Sequence, residues 1–210
     1  MKKEQIHNKG LKRSSKEWIK RQINDQYVLK AKQEGYRSRA SFKLLEIQNK
    51  FKIMNKDSVV VDLGAAPGGW SQVAAKICKK VIAVDLLDMD HLDNVEFIIG
   101  DFLEEKTIQK IVELLDGKKV DVILSDMSPN CCGIRKVDHL RISNLAEMVF
   151  DFAKVVLKEK RSIVIKTFQG IESSAFIAEL KKQFKTVSYF KPKSSRKEST
   201  EIYIVARQND

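Results

Sequence analysis

From residue 58 onward, short and almost uninterrupted apolar runs alternate with longer stretches of helical period, and this alternation constrains the fold more than any other feature of the chain. Ser58–Asp62, Val81–Asp85, Val95–Ile99, Val120–Leu124 and Ser162–Lys166 are runs of strand length, rich in valine and isoleucine. Runs of that kind suit strands buried on both faces, as in a parallel sheet covered by helices. Between them, Trp70–Lys79, Glu104–Leu115, Leu140–Leu157 and Ser174–Gln183 carry apolar residues three and four apart, as at positions 142, 145, 146, 149, 152, 153 and 156. Two more strands, Val187–Phe190 and Glu201–Ala206, are joined by a polar stretch without a helix, which predicts an antiparallel pair. The expected fold is therefore α/β: a doubly wound, Rossmann-like, mostly parallel seven-stranded sheet with the last strand antiparallel. Ahead of it, Ile23–Phe51 reads as helical with a break near Gly35. No repeat or low-complexity linker divides the chain, so residues 31–210 are expected to form one domain and residues 1–30 a basic extension.

Charge is the second constraint. The 39 Lys and Arg against 28 Asp and Glu give a net charge of +11. Residues 1–43 hold 13 of the basic residues and 4 of the acidic ones, so a surplus of 9 is concentrated there. A polyanionic partner is expected from such a balance. Trp18, Tyr27, Tyr36 and Phe42 are interleaved with these charges, a pattern that suits nucleic-acid bases and phosphates. No apolar run approaches the roughly 20 residues of a membrane span, and residues 1–30 lack the apolar core of a signal peptide. Cys78, Cys131 and Cys132 have neither disulfide-framework nor zinc spacing, and His7, His91 and His139 have no metal-ligand spacing. A cytoplasmic protein without a structural metal, and with nothing that calls for more than a monomer, is expected.

The sharpest local signal is Asp62-Leu-Gly64-Ala-Ala-Pro67-Gly68-Gly69-Trp70, which follows a strand and opens a helix. Small residues there let the backbone approach a ligand closely. A nucleoside triphosphate fits poorly, because Trp70 occupies the position where a phosphate-binding loop carries lysine. A dinucleotide fits loosely: Gly64, Ala66 and Gly69 imitate its fingerprint and Asp85 follows at the end of the next strand, but Pro67 removes one N–H from the loop. S-adenosylmethionine needs no phosphate cradle. Asp85 is placed for its ribose hydroxyls, Asp101 with Phe102 beside it for its adenine, and Asp126 for its sulfonium or the reacting centre. Taken singly, each aspartate reads equally well as a turn or cap residue; three at successive strand ends converge on one crevice.

Asp62-Leu-Gly-Ala-Ala-Pro-Gly-Gly-Trp-Ser-Gln72 resembles the cofactor loop of the FtsJ/RrmJ (RlmE) family of ribosomal RNA large subunit 2'-O-methyltransferases. Arg37-Ser-Arg-Ala-Ser-Phe-Lys43, Ser125-Asp-Met-Ser-Pro-Asn130, Val164-Ile-Lys-Thr-Phe-Gln-Gly170, Ser194-Ser-Arg196 and Glu201-Ile-Tyr-Ile-Val205 extend that resemblance in the same order. It implies a class I methyltransferase fold and a Lys–Asp–Lys–Glu tetrad at Lys43, Asp126, Lys166 and Glu201. It also implies cofactor contacts among Gly64, Pro67, Gly68, Gly69, Trp70, Asp85, Asp101, Phe102 and Asp126. The implied reaction is methyl transfer from S-adenosylmethionine to a uridine 2'-hydroxyl of 23S rRNA, within the 50S subunit. Two features depart from the pattern. Cys131-Cys132 follows Asn130, and the turn Lys158–Arg161 before the fifth strand lacks the Pro-Gly-Gly common in methyltransferases.

A ribose hydroxyl is a poor nucleophile until its proton leaves, so a base is needed. A free lysine holds its proton at neutral pH (about 10.4), and Lys166 serves as base only where its surroundings favour the neutral amine. If it stays charged, it orients the hydroxyl or stabilises a developing alkoxide instead. Arg37, Arg39, Ser195 and Arg196 are the candidates for RNA contact. Three rivals stand beside this expectation: a tRNA 2'-O-methyltransferase, a nicotinamide-dependent oxidoreductase, and a non-catalytic RNA-binding assembly factor. Neutralising Lys12, Arg13, Lys20 and Arg21 together is expected to weaken RNA binding and flatten its salt dependence, read as the slope of log K against log salt. An unchanged slope would dismiss the extension as an RNA contact.

Overall fold

The computed structural model describes residues 23–129, 132–170 and 174–208; the greater part of the basic extension, with Trp18, lies outside them, as does Cys131. Helices α1 (Gln26–Gln33) and α2 (Ser41–Phe51) come first. The alternating block follows: β1 (Val59–Leu63), α3 (Gly69–Ala75), β2 (Lys80–Asp85), β3 (Val95–Ile99), α4 (Glu105–Leu115), β4 (Val120–Ser125), α5 (Arg135–Val156), β5 (Leu157–Phe168), α6 (Ser174–Gln183), β6 (Thr186–Phe190) and β7 (Glu201–Arg207). The seven strands form one sheet in the order β3-β2-β1-β4-β5-β7-β6. β1, β2, β3, β4 and β5 pair in parallel, and β7 lies antiparallel to both β5 and β6. The strand order reverses between β1 and β4, and in open α/β sheets a ligand crevice opens at that point, beyond the carboxyl ends of the strands.

Strand pleating divides the core into two layers. Val61, Leu63, Ile123, Ile163 and Ile165 face the helices α4, α5 and α6. Val60, Val122, Leu124, Val164 and Tyr203 face α2 and α3. This is why the strand sequences are apolar at consecutive rather than alternate positions.

Three boundaries differ from the sequence expectation. Helix α5 starts at Arg135, five residues earlier than its apolar period suggests, because its first turn faces solvent and carries charge. The Asp138 carboxylate accepts the Cys132 and Gly133 N–H groups (2.7 and 3.0 Å), which ties down the incoming chain. Residues 158–161, expected as a turn, belong instead to a long β5 whose register with β4 shifts between Val120 and Val122. There the Lys158 ammonium donates to the Asp121 carboxylate (2.8 Å), which also accepts the Val59 N–H (2.8 Å), so one acid fastens three strands at the edge opposite the crevice. Finally, the break near Gly35 runs from residue 34 to residue 40.

The aromatics of the N-terminal segment also differ from expectation. Phe42 is buried, and both Tyr27 and Tyr36 set their rings 5.5 Å from it. Apolar contact among the three docks α1 onto α2, so they serve packing rather than an open RNA surface.

Leu124 is fully buried at the centre of the sheet. Leu124→Ala is expected to lower unfolding free energy by about 2–5 kcal/mol in urea titrations, without changing the sheet order.

Candidate active site

The loop after β1 is stitched to its neighbours by main-chain bonds. The N–H groups of Gly64 and Ala65 donate to the Val84 carbonyl (2.9 and 3.1 Å). Ala66 N–H donates to the Asp85 carboxylate (2.9 Å), whose other oxygen accepts the Leu87 N–H (2.9 Å). Gly64 has φ +76°, and a Cβ there would lie 2.6 Å from Met127 Cγ, so only glycine lets this loop meet the segment after β4. Asp101 closes the adjoining turn by accepting the Leu103 N–H (2.9 Å). The result is a crevice of about 670 Å³ with Gly64, Asp85, Asp101, Phe102 and Asp126 in its wall, together with the exposed apolar side chains of Leu86 and Leu103. That volume lies within the range of small-molecule and cofactor pockets.

The other loop residues named from sequence stand behind this wall. Gly68 (φ +98°) packs on Arg37, and Gly69 packs on Ser38 and Ser41. Trp70 is buried, with its indole N–H donated to the Ala40 carbonyl (2.8 Å). Ser41 Oγ donates to the Gly69 carbonyl (2.9 Å). Gly69 and Trp70 therefore couple α3 to the start of α2, the helix that carries Lys43. Pro67 offers its carbonyl to the Arg37 guanidinium (3.4 Å). None of Pro67, Gly68, Gly69 and Trp70 lines the crevice.

At the carboxyl end of β4 the structure brings together the four residues expected as a tetrad. Lys166 Nζ donates to the Asp126 carbonyl (2.6 Å) and lies 2.8 Å from Asp126 Oδ1. Lys43 Nζ lies 3.8 Å from Asp126 Oδ1 and 3.4 Å from Glu201 Oε2. Lys43 and Lys166 are both buried, and buried cations require such partners. Burial alone would raise the Asp126 carboxyl; the Lys166 ammonium above all, then Lys43 and the Tyr203 hydroxyl, outweigh it and hold the group below its ordinary range. Tyr203 was not singled out from sequence. It donates its hydroxyl to Asp126 Oδ1 (2.6 Å), stacks 5.5 Å from Trp70, and places its ring 5.6 Å from Lys43 Nζ. Burial and the Asp126 carboxylate push its hydroxyl well above the ordinary value, so it stays a donor. Its spacing two residues from Glu201, on one face of a strand, was the available signal.

A second cleft of about 410 Å³ opens beside Lys43 and Glu201, with Arg39 and Arg196 in its wall. Asp25 pairs with Arg39 and lies 3.6 Å from Arg196 Nε, and Arg39 also donates to the Ser194 carbonyl. Glu46, one turn beyond Lys43, accepts the N–H groups of Lys193 and Ser194 (2.6 and 2.9 Å) and pins the Lys191–Ser199 loop to α2. Ser195, expected to touch RNA, is buried. Arg37, expected in the same role, donates to the carbonyls of Asp90 and His91 (2.7 Å each) as well as Pro67. Its guanidinium buttresses two crevice loops. Among the described residues no three His, Cys, Asp or Glu side chains converge in a way that could hold a metal ion. No helix among them is long and apolar enough to cross a membrane.

A parallel sheet with its crevice at the strand-order reversal, and acids at the ends of β2, β3 and β4, defines a Rossmann-like fold of the kind seen in solved methyltransferases. A Plasmodium falciparum protein described as a ribosomal RNA methyltransferase superposes with a TM-score of 0.74 at 32% identity, over 82% of this chain and 98% of that one. A Streptococcus mutans protein described as a methyltransferase and solved with S-adenosylhomocysteine shares the fold alone, at a TM-score of 0.51 and 13% identity over 81% of this chain and 96% of that one. Residues 36–209 match the FtsJ-like methyltransferase family, and the chain belongs to it. Among its relatives, the ribosomal RNA large subunit methyltransferase E of Rickettsia felis is 49% identical, over 92% of this chain and 88% of the relative. The protein of the same name from a Wolbachia of Brugia malayi is also 49% identical, over 94% and 90%.

Asp62, at the floor of the loop, is fully buried and accepts the Ser71 hydroxyl (2.6 Å). Desolvation, aided by the nearby Asp126 and Asp85 charges, raises its carboxyl from 3.8 to about 7. The folded state therefore holds this proton where the unfolded state releases it, so the stabilisation is complete below the unfolded value and is lost as pH rises to about 7. Wild type is expected to lose roughly 2 kcal/mol relative to Asp62→Asn between pH 5 and pH 7, in urea titrations at each pH.

Proposed function

We infer that this chain transfers a methyl group from S-adenosylmethionine to the ribose 2'-hydroxyl of a uridine in large-subunit rRNA, and that Lys166 is the general base. The observation that carries this reading is the Lys43–Asp126–Lys166–Glu201 cluster, whose two lysines are buried and whose Asp126 lines the crevice. The large-subunit rRNA substrate is carried over from the name borne by the Rickettsia and Wolbachia relatives.

The crevice residues fit the cofactor. Its wall offers acids at three strand ends, apolar surface at Leu86 and Leu103, and a glycine cradle that a side chain at position 64 would close. Asp85 suits the ribose hydroxyls: two of its acceptor sites are used on main-chain N–H groups, and a carboxylate has about four. Asp101 suits the adenine edge, and Asp126 faces the reacting end. When bound, S-adenosylmethionine supplies an electrophilic methyl carbon on a sulfonium.

A neutral Lys166 amine has two N–H groups and one lone pair. The Asp126 carbonyl and carboxylate use both N–H groups, which leaves the lone pair for the substrate hydroxyl. Lys43 places a second cation beside the same carboxylate (3.8 Å). Tyr203 and Lys43 fix the Asp126 carboxylate, so the Lys166 side chain is oriented before substrate arrives. Glu201 holds Lys43 and faces the second cleft, where Arg39 and Arg196 offer charge to the RNA backbone. The basic extension adds long-range attraction for RNA. The compartment that fits this substrate in a bacterium is the cytoplasm, and the working unit is a monomer.

Tritiated methyl transfer to unmodified large ribosomal subunits tests the reading. Wild type is expected to leave an alkali-resistant linkage at the modified nucleotide, and Lys166→Ala to lower the rate by about 10²–10⁴-fold with cofactor binding retained. Transfer to tRNA but not to large subunits would replace the substrate and keep the chemistry.

A further inference from the structure

Most aromatic residues of the described chain are absorbed by packing. Phe102 meets Phe152, Phe150 meets Phe176, and Phe51 meets Phe190, each at 5.3–5.8 Å. Phe168 is different. It is the last residue of β5, is half-buried, and belongs to neither layer of the core. Its ring lies 5.9 Å from that of His139, which reaches in from the start of α5 at an interplanar angle of 58°.

Its position is set by the register of the sheet. Phe168 stands opposite Glu201 on β7, as Lys166 stands opposite Tyr203. Phe168 lies two residues, about 7 Å, beyond Lys166 along the strand, and its ring turns toward His139 at the start of α5. Glu201 lines the second cleft, and Arg141, two residues from His139, lines the crevice. The two rings therefore stand at the strand end beyond Lys166.

We propose that Phe168, backed by His139, is the stacking platform for the base of the nucleotide being methylated. The proposal rests on the RNA-methylating reading of the Lys166 cluster. A nucleotide whose 2'-oxygen reaches the Lys166 amine must place its base within one nucleoside's span of that amine. Bases recognised outside a helix are splayed out and stacked on aromatic side chains. The face of Phe168 supplies that surface at the required distance, and the crevice on the opposite side of Asp126 is left to the cofactor. Stacking fixes the ribose as well as the base, so its loss is felt in kcat as well as in KM.

The test compares Phe168→Leu, Phe168→Ala and Phe168→Tyr with wild type, using unmodified large ribosomal subunits and tritiated S-adenosylmethionine. Cofactor affinity is measured separately by calorimetry, and folding by thermal unfolding. Leucine keeps the bulk and tyrosine keeps the aromatic face. The expected result is a fall in kcat/KM of about ten- to a hundredfold for leucine and alanine, near-wild-type values for tyrosine, and unchanged cofactor affinity in all three. Wild-type kcat/KM in Phe168→Leu would overturn the platform and leave the methyltransferase reading intact. Absence of transfer by wild type to large subunits and to tRNA alike would remove that reading, and the platform with it.

Discussion

The arrangement on which the rest of the site depends is the ionised Asp126 carboxylate, held in the interior by Lys166, Lys43 and the Tyr203 hydroxyl. Withdrawing charges from water costs several kcal/mol per ion, and close partners offset it only when the geometry is good. Here Glu201 partners Lys43, so each lysine has a carboxylate beside it. The partners come from α2, the end of β4, the end of β5 and the start of β7. An ion cluster assembled from four elements so far apart in sequence also fixes how those elements dock. Much of the neighbouring structure serves it. Ser41, Gly69, Trp70 and Ala40 couple α2 to the crevice loop, and Glu46 couples α2 to the loop before β7.

Electrostatics separate the two sides of this cluster. On the crevice side, Asp62, Asp85 and Asp126 lie close enough for the latter two to raise the carboxyl of the first. The crevice wall itself carries Asp85, Asp101 and Asp126, which suits a cationic, phosphate-free ligand. On the other side, Arg39, Lys43 and Arg196 line the second cleft together with Glu198 and Glu201, and Asp25 holds the two arginines in place.

How much of this was legible in the sequence depends on the range of the interaction. The strand sequences are apolar at consecutive positions because both faces are buried, and that local signal yielded the α/β class and all seven strands. The acids after β2, β3 and β4 were legible because parallel strands bring their carboxyl ends to one edge. Boundaries failed where a single side chain decided them. The start of α5 follows from Asp138 capping the loop before it, and the opening of β5 from Lys158 reaching Asp121. Roles failed where long-range packing decided them. Arg37 resembles a phosphate ligand in sequence, but three carbonyls from two other loops claim its guanidinium. Tyr27, Tyr36 and Phe42 lie among lysines in the chain and against one another in space.

The direction of β7 explains why the site needs an otherwise parallel sheet to end irregularly. In the parallel part, crevice-lining residues come from strand ends and the loops after them, as Gly64, Asp85, Asp101 and Asp126 do. Because β7 runs the other way, its first residues, Glu201 and Tyr203, arrive at that same edge. They are paired with β5 and therefore held by a hydrogen-bonded ladder rather than by a loop. The ladder aligns Tyr203 with Lys166 and Glu201 with Phe168. A groups-on-strands arrangement holds the carboxylate, the phenol and the amine to the tolerance of sheet geometry, which is tighter than a loop provides. The crevice wall is built largely from loops, whereas the Lys166, Tyr203 and Glu201 side chains are carried on paired strands.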